Sequence, residues 1–157
     1  LKEEARNSFL RTISGTDLIV GARSHPVQLL LYSVFRIGDA TNNVSWESYQ
    51  QIAQRPDVAW TIPISLGDSH RGYRVVGTST DYFEHLRYAG DRKLAFSAGA
   101  PFADLYDAVI GADVADALGY TVGTPIVVAH GTGTTIAKHD DQPFVVAGVL
   151  ARTGTPV

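Results

Sequence analysis

The chain has 157 residues, which suits one domain or two small lobes that share a core. Apolar residues make up 45% and charged residues 18% of the sequence, as in ordinary folded chains, so disorder is excluded. The net charge is −3 with scattered basic residues, which predicts no nucleic-acid partner, and the absence of cysteine excludes disulfides, thiolate catalysis and cysteine-based zinc sites.

The first element in chain order is a predicted helix over residues 1–14. Ala5, Phe9 and Ile13 fall at four-residue spacing and form a thin apolar face. Because the sequence contains no methionine, we expect the chain to be an excised piece of a longer protein or a processed product. This helix would then be the end of a longer helix that enters from elsewhere. No apolar run approaches the ~20 residues that span a bilayer.

The most apolar part of the chain, residues 14–37, predicts a strand, a turn and a helix. Asp17–Ala22 is expected to be a short buried strand. Ser24 is the expected N-cap of the helix, with Pro26 in its first turn. Apolar residues then recur at three- and four-residue steps, which predicts that the helix packs on a sheet: Val27, Leu30, Leu31, Val34 and Phe35. The single glycine in this stretch does not make a nucleotide-binding loop, which needs three.

The middle of the chain predicts two helices separated by a hairpin. Ser45 is the expected N-cap of a helix over Trp46–Gln54. The apolar runs Val58–Leu66 and Tyr73–Gly77 predict two strands that pair around the turn between them. A short helix over Tyr82–Leu86 follows.

The last third is rich in strands. Residues 107–118 predict a strand followed by a helix that Gly119 ends. Further strands are expected at residues 120–130, 135–138 and 142–152. The order of elements indicates a mixed α/β or α+β fold, with a parallel or mixed strand pairing in the first half.

Five histidines raise the hypothesis of a metal site. If the strands on either side of the turn after His130 pair with each other, His130 approaches His139. Together with Asp141 they would offer nitrogen and oxygen donors that suit zinc. No other residue is fixed as a fourth ligand, and histidine–aspartate clusters are common in surface loops, so a structural role remains the favoured interpretation.

The sequence contains only weak indications of a catalytic site. Asp68, Ser69 and His70 contain the residue types of a triad, but triad partners come from separate parts of a chain and are set by geometry. The sequence has no Gly-x-Ser-x-Gly turn, and its paired carboxylates show no spacing that implies a shared cleft. We therefore predict that the chain is not an enzyme.

Four motifs in the second half occur in a specific order. They are Val76–Phe83, where V-G is followed after four residues by the aromatic pair Y-F; Ile110–Gly119, ending in L-G; Val122–Val128; and Phe144–Leu150, F-x-V-x-G-V-L. In this order, over residues 72–150, they resemble the periplasmic core domain of ABC-transporter permeases of the macrolide-exporter (MacB) type. Permeases of lipoprotein extraction and the cell-division permease FtsX belong to the same superfamily.

The resemblance implies an α+β (mixed α/β) architecture in which a strand-rich lobe is inserted into a porter-like α/β lobe. The implied organisation is a juxtamembrane helix over residues 1–14, the porter-like lobe over 15–72, the inserted lobe over 73–150 and a tail over 151–157. In the family, a returning segment completes the porter-like lobe, so we expect residues beyond Val157 to do so here.

The resemblance also implies a function. The domain would lie on the periplasmic side of the bacterial inner membrane and couple ATP-driven conformational change to the handling of a substrate or partner. Its implied partners are its own membrane helices, a cytoplasmic ATPase subunit, a second permease copy and a periplasmic substrate or adaptor. ATP would be hydrolysed by the separate subunit, so we expect no catalytic residue and no cofactor in this domain.

Phe9, Trp46 and Tyr82 are the aromatic residues that we expect to be exposed at interfaces. One alternative stays open, a free-standing periplasmic metal- or solute-binding module that uses His130, His139 and Asp141.

Overall fold

The computed structural model describes Asn7 and residues 12–38, 42–130 and 143–156. The helices whose bounds are described are α1 (Pro26–Ser33), α2 (Trp46–Ala53), α3 (Asp81–His85) and α4 (Ala112–Leu118). The strands are β1 (Ser65–His70), β2 (Tyr73–Gly77), β3 (Arg87–Tyr88), β4 (Arg92–Lys93), β5 (Phe96–Gly99), β6 (Asp107–Ile110), β7 (Pro125–Ile126), β8 (Ala129–His130) and β9 (Phe144–Leu150). This combination of helices and several sheets confirms the predicted α+β class.

The chain divides into two compact units. The first consists of Leu1–Leu66, Gly77–Lys93 and Pro156, and the second of Gly67–Val76, Leu94–Thr155 and Val157. These boundaries differ from those of the expected lobes, because residues 77–93 pack with the first unit. The division into a porter-like and an inserted lobe stays a prediction.

The first unit contains α1, α2, α3 and the antiparallel pair β3–β4. Ser14 is bridged to β3, where its backbone N–H donates to the carbonyl of Arg87 at 2.8 Å. The residues buried in this unit, among those described, are Thr12, Val34, Tyr82 and Leu86. Most of the predicted helix over residues 1–14 lies outside the described residues, while Asn7 and Thr12 are helical.

The predicted strand at Asp17–Ala22 is wrong. These residues belong to no helix or strand, and Leu18 and Val20 are 80% and 59% exposed. An apolar run becomes a strand only where a neighbouring strand accepts its backbone hydrogen bonds. In the described part of the first unit, no such neighbour lies beside this segment.

Helix α1 begins one residue later than predicted and packs less. Its N-cap is His25, not Ser24, and the Nδ1 atom of His25 accepts from the backbone N–H of Val27 at 3.3 Å. Of the five residues predicted to pack on a sheet, Val34 is 2% exposed, whereas Val27 is 55% exposed. The described first unit offers only the β3–β4 pair and the ends of β1 and β2, which is too little sheet surface to cover the helix.

Helix α2 confirms the predicted cap. The Oγ atom of Ser45 accepts from the N–H of Ser48 at 3.2 Å, and the helix ends at Ala53 with Gln54 as C-cap. Glu47 lies in the first turn, where a negative charge interacts favourably with the helix dipole.

The predicted hairpin is present, but its first strand is displaced. Strand β1 runs from Ser65 to His70, and residues 58–64, predicted as strand, form no pairing. Arg71 and Gly72 make a two-residue turn with φ values of 47° and 85°. Two left-handed residues match the twist of antiparallel strands and so permit a tight connection. Strand β2 has the predicted bounds.

The main sheet of the second unit is built around β9. Strand β6 pairs with it in parallel, and β5 and β7 pair with it antiparallel along the other edge. The sheet is therefore mixed. The parallel pairing lies in the second half of the chain, and the described residues of the first half show none, so its predicted position is wrong.

The core of the second unit surrounds Val146, which is 1% exposed. The buried residues packed around it are Ile110, Ile126, Val128 and Val149. Strand β9 is buried on both faces at residues 148–150, whereas Val145 near its start is 41% exposed. The burial of its second half accounts for the continuous apolar run there. Helix α4 ends at Gly119 in the left-handed conformation, φ 68°, which confirms the predicted stop.

Candidate functional site

Of the three predicted metal ligands, the structure describes only His130. His130 ends strand β8, and its backbone pairs with Asp68. His139, Asp141 and the predicted strand at 135–138 lie outside the described residues, so the zinc hypothesis stays a prediction. Calorimetric titration with zinc tests it: stoichiometric binding that His139→Ala removes would support the alternative module, and absence of binding heat would exclude it.

The triad-like run at Asp68–His70 has a structural explanation. The Nδ1 atom of His70 lies 2.7 Å from the carbonyl oxygen of Val127, and its Nε2 atom lies 3.0 Å from the hydroxyl of Tyr120. The ring therefore donates from Nδ1 and accepts at Nε2. Both nitrogens of His70 are used to tie parts of the second unit together, and neither is directed to Ser69.

The three interface candidates differ in their surroundings. Phe9 lies outside the described residues. Trp46 is 66% exposed and stacks on Tyr49 with ring centroids 4.9 Å apart. Tyr82 is 5% exposed, so the expectation that it is exposed is wrong. Its ring packs edge-on against that of Phe83, the next residue, and Tyr82 is the buried residue of α3.

A cavity of about 700 Å³ lies in the first unit. It is lined by helices α1 and α2 and by the unpaired segments 16–22 and 57–64. The apolar side chains that line it include Leu29, Val34, Trp46, Ile52, Trp60 and Ile62. Both unpaired segments border the cavity where strands were predicted, and Leu18 and Val20 in the first of them are largely exposed.

Several polar side chains that line the cavity are hydrogen-bonded to protein atoms. The hydroxyl of Tyr32 donates to the carbonyl of Leu66 at 2.8 Å, and the hydroxyls of Tyr49 and Thr61 lie 3.2 Å apart. Arg36 is different. Its Nε and Nη1 atoms are buried and have no hydrogen-bond acceptor among the described residues.

A second polar group lies on helix α3. Asp81, Glu84 and His85 occupy positions i, i+3 and i+4, which share one helix face, and one donor atom of each lies within 4.8 Å of the others. Ser79 donates to Asp81 at 2.8 Å, and the ring of His85 stacks parallel on Trp60 at 5.0 Å. The donor types suit a divalent cation. The partly exposed acidic groups also have an ordinary role at a helix N-terminus. The spacing D-x-x-E-H was the sequence signal for this group, and it was missed.

Two carboxylates have lowered pKa values, and both have local causes. The side-chain hydrogen bond from Arg55 lowers the pKa of Asp57, and their two contacts measure 2.8 and 2.9 Å. The backbone N–H groups of Ala103 and Asp104 lower the pKa of Asp107. Each arrangement stabilises a loop.

Comparison with protein families decides the assignment. The family model of the MacB-like periplasmic core domain matches residues 3–156. The chain belongs to this family. Comparison with the curated proteins and with the solved structures gives no significant match. Membership confirms the resemblance found in the sequence and indicates a periplasmic domain of the ABC-transporter permease type. Among the described residues, no helix of this MacB-like domain is long and apolar enough to cross a membrane.

The glycines of the MacB-like motifs do not all serve one purpose. Gly119 and Gly123 have φ values of 68° and 92°, a conformation that glycine adopts more easily than other residues. Gly77 and Gly111 lack a positive φ. A Cβ at Gly111 would have no atom within 4 Å, and at Gly77 it would stand 3.4 Å from the Cβ of Ser65, an ordinary contact, so neither position requires glycine.

Proposed function

We propose that this MacB-like domain is the extracytoplasmic part of an ABC-transporter permease subunit in the bacterial inner membrane. In this role it couples ATP-driven conformational change to the handling of a substrate or partner. The family match over residues 3–156 is the observation that supports the proposal. The four motifs that resemble the family in sequence lie on β2 with α3, on β6 with α4, around β7, and on β9.

The proposed role is mechanical. No bond is made or broken in the domain, and a separate cytoplasmic ATPase subunit supplies the energy, so the domain needs neither a cofactor nor a catalytic residue. Movement of the attached membrane helices would be transmitted to the domain as a rigid-body or hinge motion. A second permease copy and a periplasmic substrate or adaptor complete the set of partners. Trp46, which is 66% exposed, is the described residue that we expect at such an interface.

The location is tested with single cysteines, because the chain has none. Leu105→Cys places a thiol at a position that is 80% exposed, and Val146→Cys is the matched control at 1% exposure. Both are introduced into the full natural protein, freed of any other cysteine, in intact inner membranes. A membrane-impermeant maleimide added on the periplasmic side is expected to label the first variant and to spare the second. Labelling of Leu105→Cys only after the membrane is disrupted would refute the location.

The coupling is tested with the same reagent. The labelling rate of a Trp46→Cys thiol is compared between the nucleotide-free transporter and a transporter held with ATP by a hydrolysis-deficient ATPase subunit. We expect the two rates to differ. If the labelling rate of Trp46→Cys and that of Leu105→Cys are each the same in the nucleotide-free and the ATP-held transporter, the coupling role is contradicted. The proposed periplasmic location would not be affected by that result.

A further inference from the structure

Arg87 connects two parts of the first unit that are far apart in the chain. Its backbone carbonyl accepts from the N–H of Ser14 at 2.8 Å, in an isolated bridge between β3 and residue 14. Its side chain binds the end of α3, where Nη1 donates to the carbonyls of Glu84 at 2.7 Å and Leu86 at 3.0 Å. Carbonyls at a helix end have no partner within the helix. One residue therefore ties residue 14 to the end of α3.

The attachment of Arg87 to α3 is sheltered from solvent. Only 19% of the Arg87 side chain is exposed, and its Nε atom lies 3.7 Å from Asp91 in the same hairpin. Hydrogen bonds donated by a guanidinium are stronger than those between neutral groups. Two such bonds to neighbouring carbonyls hold the end of α3 against the hairpin more firmly than one neutral bond does.

Ser14 is held at two points of the β3–β4 hairpin. Besides the bond to Arg87, its Oγ atom accepts from the N–H of Gly90, in the turn of the hairpin, at 3.2 Å. Two residues earlier, Thr12 is helical and 6% exposed. A single hydrogen bond leaves rotation about its axis free. Two bonds at residue 14, with burial at residue 12, restrict both rotation and translation of this segment against the hairpin.

Two further contacts lead from α3 to α2. The ring of His85 on α3 stacks on Trp60 at 5.0 Å. The hydroxyl of the next residue, Thr61, lies 3.2 Å from that of Tyr49 on α2. A displacement of α3 is thereby passed to the helix that carries Trp46.

We propose that Ser14 and Arg87 form a rigid joint, through which the segment of residues 1–14 moves the β3–β4 hairpin and α3 as one body. Arg87 is the positioning residue of this joint. The inference rests on the proposed coupling role, in which movement of the membrane helices reaches the domain, and it names the contacts that carry this movement inside the first unit.

Spin labels measure the joint in the full natural transporter, freed of any other cysteine. They are attached at Asn7→Cys and Glu84→Cys, two exposed helical positions on either side of the joint. Electron paramagnetic resonance gives the distance between the labels in the nucleotide-free and the ATP-held transporter. We expect a narrow distribution with the same mean distance in both states, because parts of one rigid body keep their separation. A mean distance that shifts with nucleotide would overturn the proposal.

Arg87→Met keeps the backbone bridge to Ser14 and removes the donors to α3. It is expected to broaden the distance distribution in both states and to abolish the nucleotide-dependent difference in the labelling rate of Trp46→Cys. Arg87→Lys retains a charged donor and should restore part of both. Arg92→Met, at an exposed position of the same hairpin, is the matched control and should behave as the original protein does.

The inference and the coupling role fail in different ways. If Trp46→Cys is labelled at unequal rates in the two nucleotide states of the original transporter, and Arg87→Met shows the same difference, the joint is refuted and the coupling role stands. A lower melting temperature of Arg87→Met with an unchanged labelling difference has the same meaning, because it shows a role in stability alone. Equal rates in the original transporter would refute the coupling role and the joint with it.

A milder variant covers the case in which Arg87→Met does not fold. Ser14→Ala removes the acceptor for the N–H of Gly90 and keeps the backbone bridge to Arg87. It should broaden the distance distribution less than the loss of the guanidinium does and reduce the labelling difference at Trp46→Cys. A distribution and a labelling difference equal to those of the original protein would count against the joint.

Discussion

Gly148 lies within β9, the longest strand, at a point where a side chain does not fit. A Cβ at this position would overlap the carbonyl oxygen of Ala100 and stand 2.8 Å from the ring of Phe96. Ala100 is held in place by its N–H, which donates to Ala147 at 3.1 Å. The neighbours therefore cannot withdraw without breaking the edge where β5 pairs with β9.

Gly148→Ala is expected to lower the free energy of unfolding by about 1–3 kcal/mol, the usual cost of overpacking. Gly67→Ala is the matched control, because position 67 also lies in a strand but has open space around it and no positive φ. The control should be neutral or slightly stabilising. Urea unfolding of both variants measures the difference. Equal effects would show that the close approach at Gly148 does not limit the fold.

The carboxylate of Asp107 makes the stability of its loop depend on pH. Its Oδ2 atom accepts from the N–H groups of Ala103 at 2.9 Å and Asp104 at 3.0 Å, and these bonds lower its pKa. An unfolded aspartate has a pKa of about 3.9. Because the pKa is lower in the folded state, the contribution is complete above the unfolded value and is lost as the pH falls through the folded value.

Asp107→Asn should therefore be less stable than the original chain at neutral pH, and the difference should shrink below about pH 4. Urea midpoints of the two proteins, measured from pH 7 to pH 2, give the result. Asp104→Asn keeps the backbone donor of residue 104 and serves as control. If the difference in urea midpoint between Asp107→Asn and the original chain stays constant from pH 7 to pH 2, the lowered pKa of Asp107 does not contribute to stability.

At the scale of elements, helix α2 depends on its cap. Its eight residues are too few to be stable alone, so satisfied N–H groups at the first turn matter. Ser45→Ala is expected to destabilise the first unit by about 1 kcal/mol. Ser45→Asp keeps an acceptor at the N-cap and should restore most of the loss. Thermal unfolding compares the three proteins, and an unchanged Ser45→Ala midpoint would show that the cap is dispensable.

The elements that were predictable from sequence carry their signals locally. Ser45 caps α2, Gly119 ends α4, and the apolar run of β9 reflects the burial of its second half, residues 148–150, on both faces. The segments at 16–22 and 58–64 carry similar apolar signals, but a strand exists only if a partner lies beside it. That partner is a property of the whole fold, so these two interpretations failed.

The cavity could not be predicted for the same reason. Its walls come from segments about 40 residues apart in the chain. The side chain of Arg36 meets Tyr82, 46 positions away, so its burial left no trace in the local sequence. The local sequence shows only an arginine just after an apolar helix. Arginine is common at helix C-termini because a positive charge interacts favourably with the helix dipole, so its presence does not indicate a cavity.

At the scale of the whole molecule, burial is distributed unevenly. The second unit contains the sheet around β9 and a cluster of buried valines and isoleucines. The first unit contains the cavity and two segments, 16–22 and 58–64, whose backbone is not paired with another strand. Local stability follows buried contacts and backbone hydrogen bonds, so it should differ along the chain.

Hydrogen exchange measured by mass spectrometry tests this expectation. Amides of β6 and β9 should exchange most slowly, because they pair with each other in the buried sheet. Amides of residues 16–22 and 58–64 should exchange most rapidly. Exchange at residues 58–64 as slow as that of β9 would show that this segment is hydrogen-bonded in solution and would remove the proposed cavity wall.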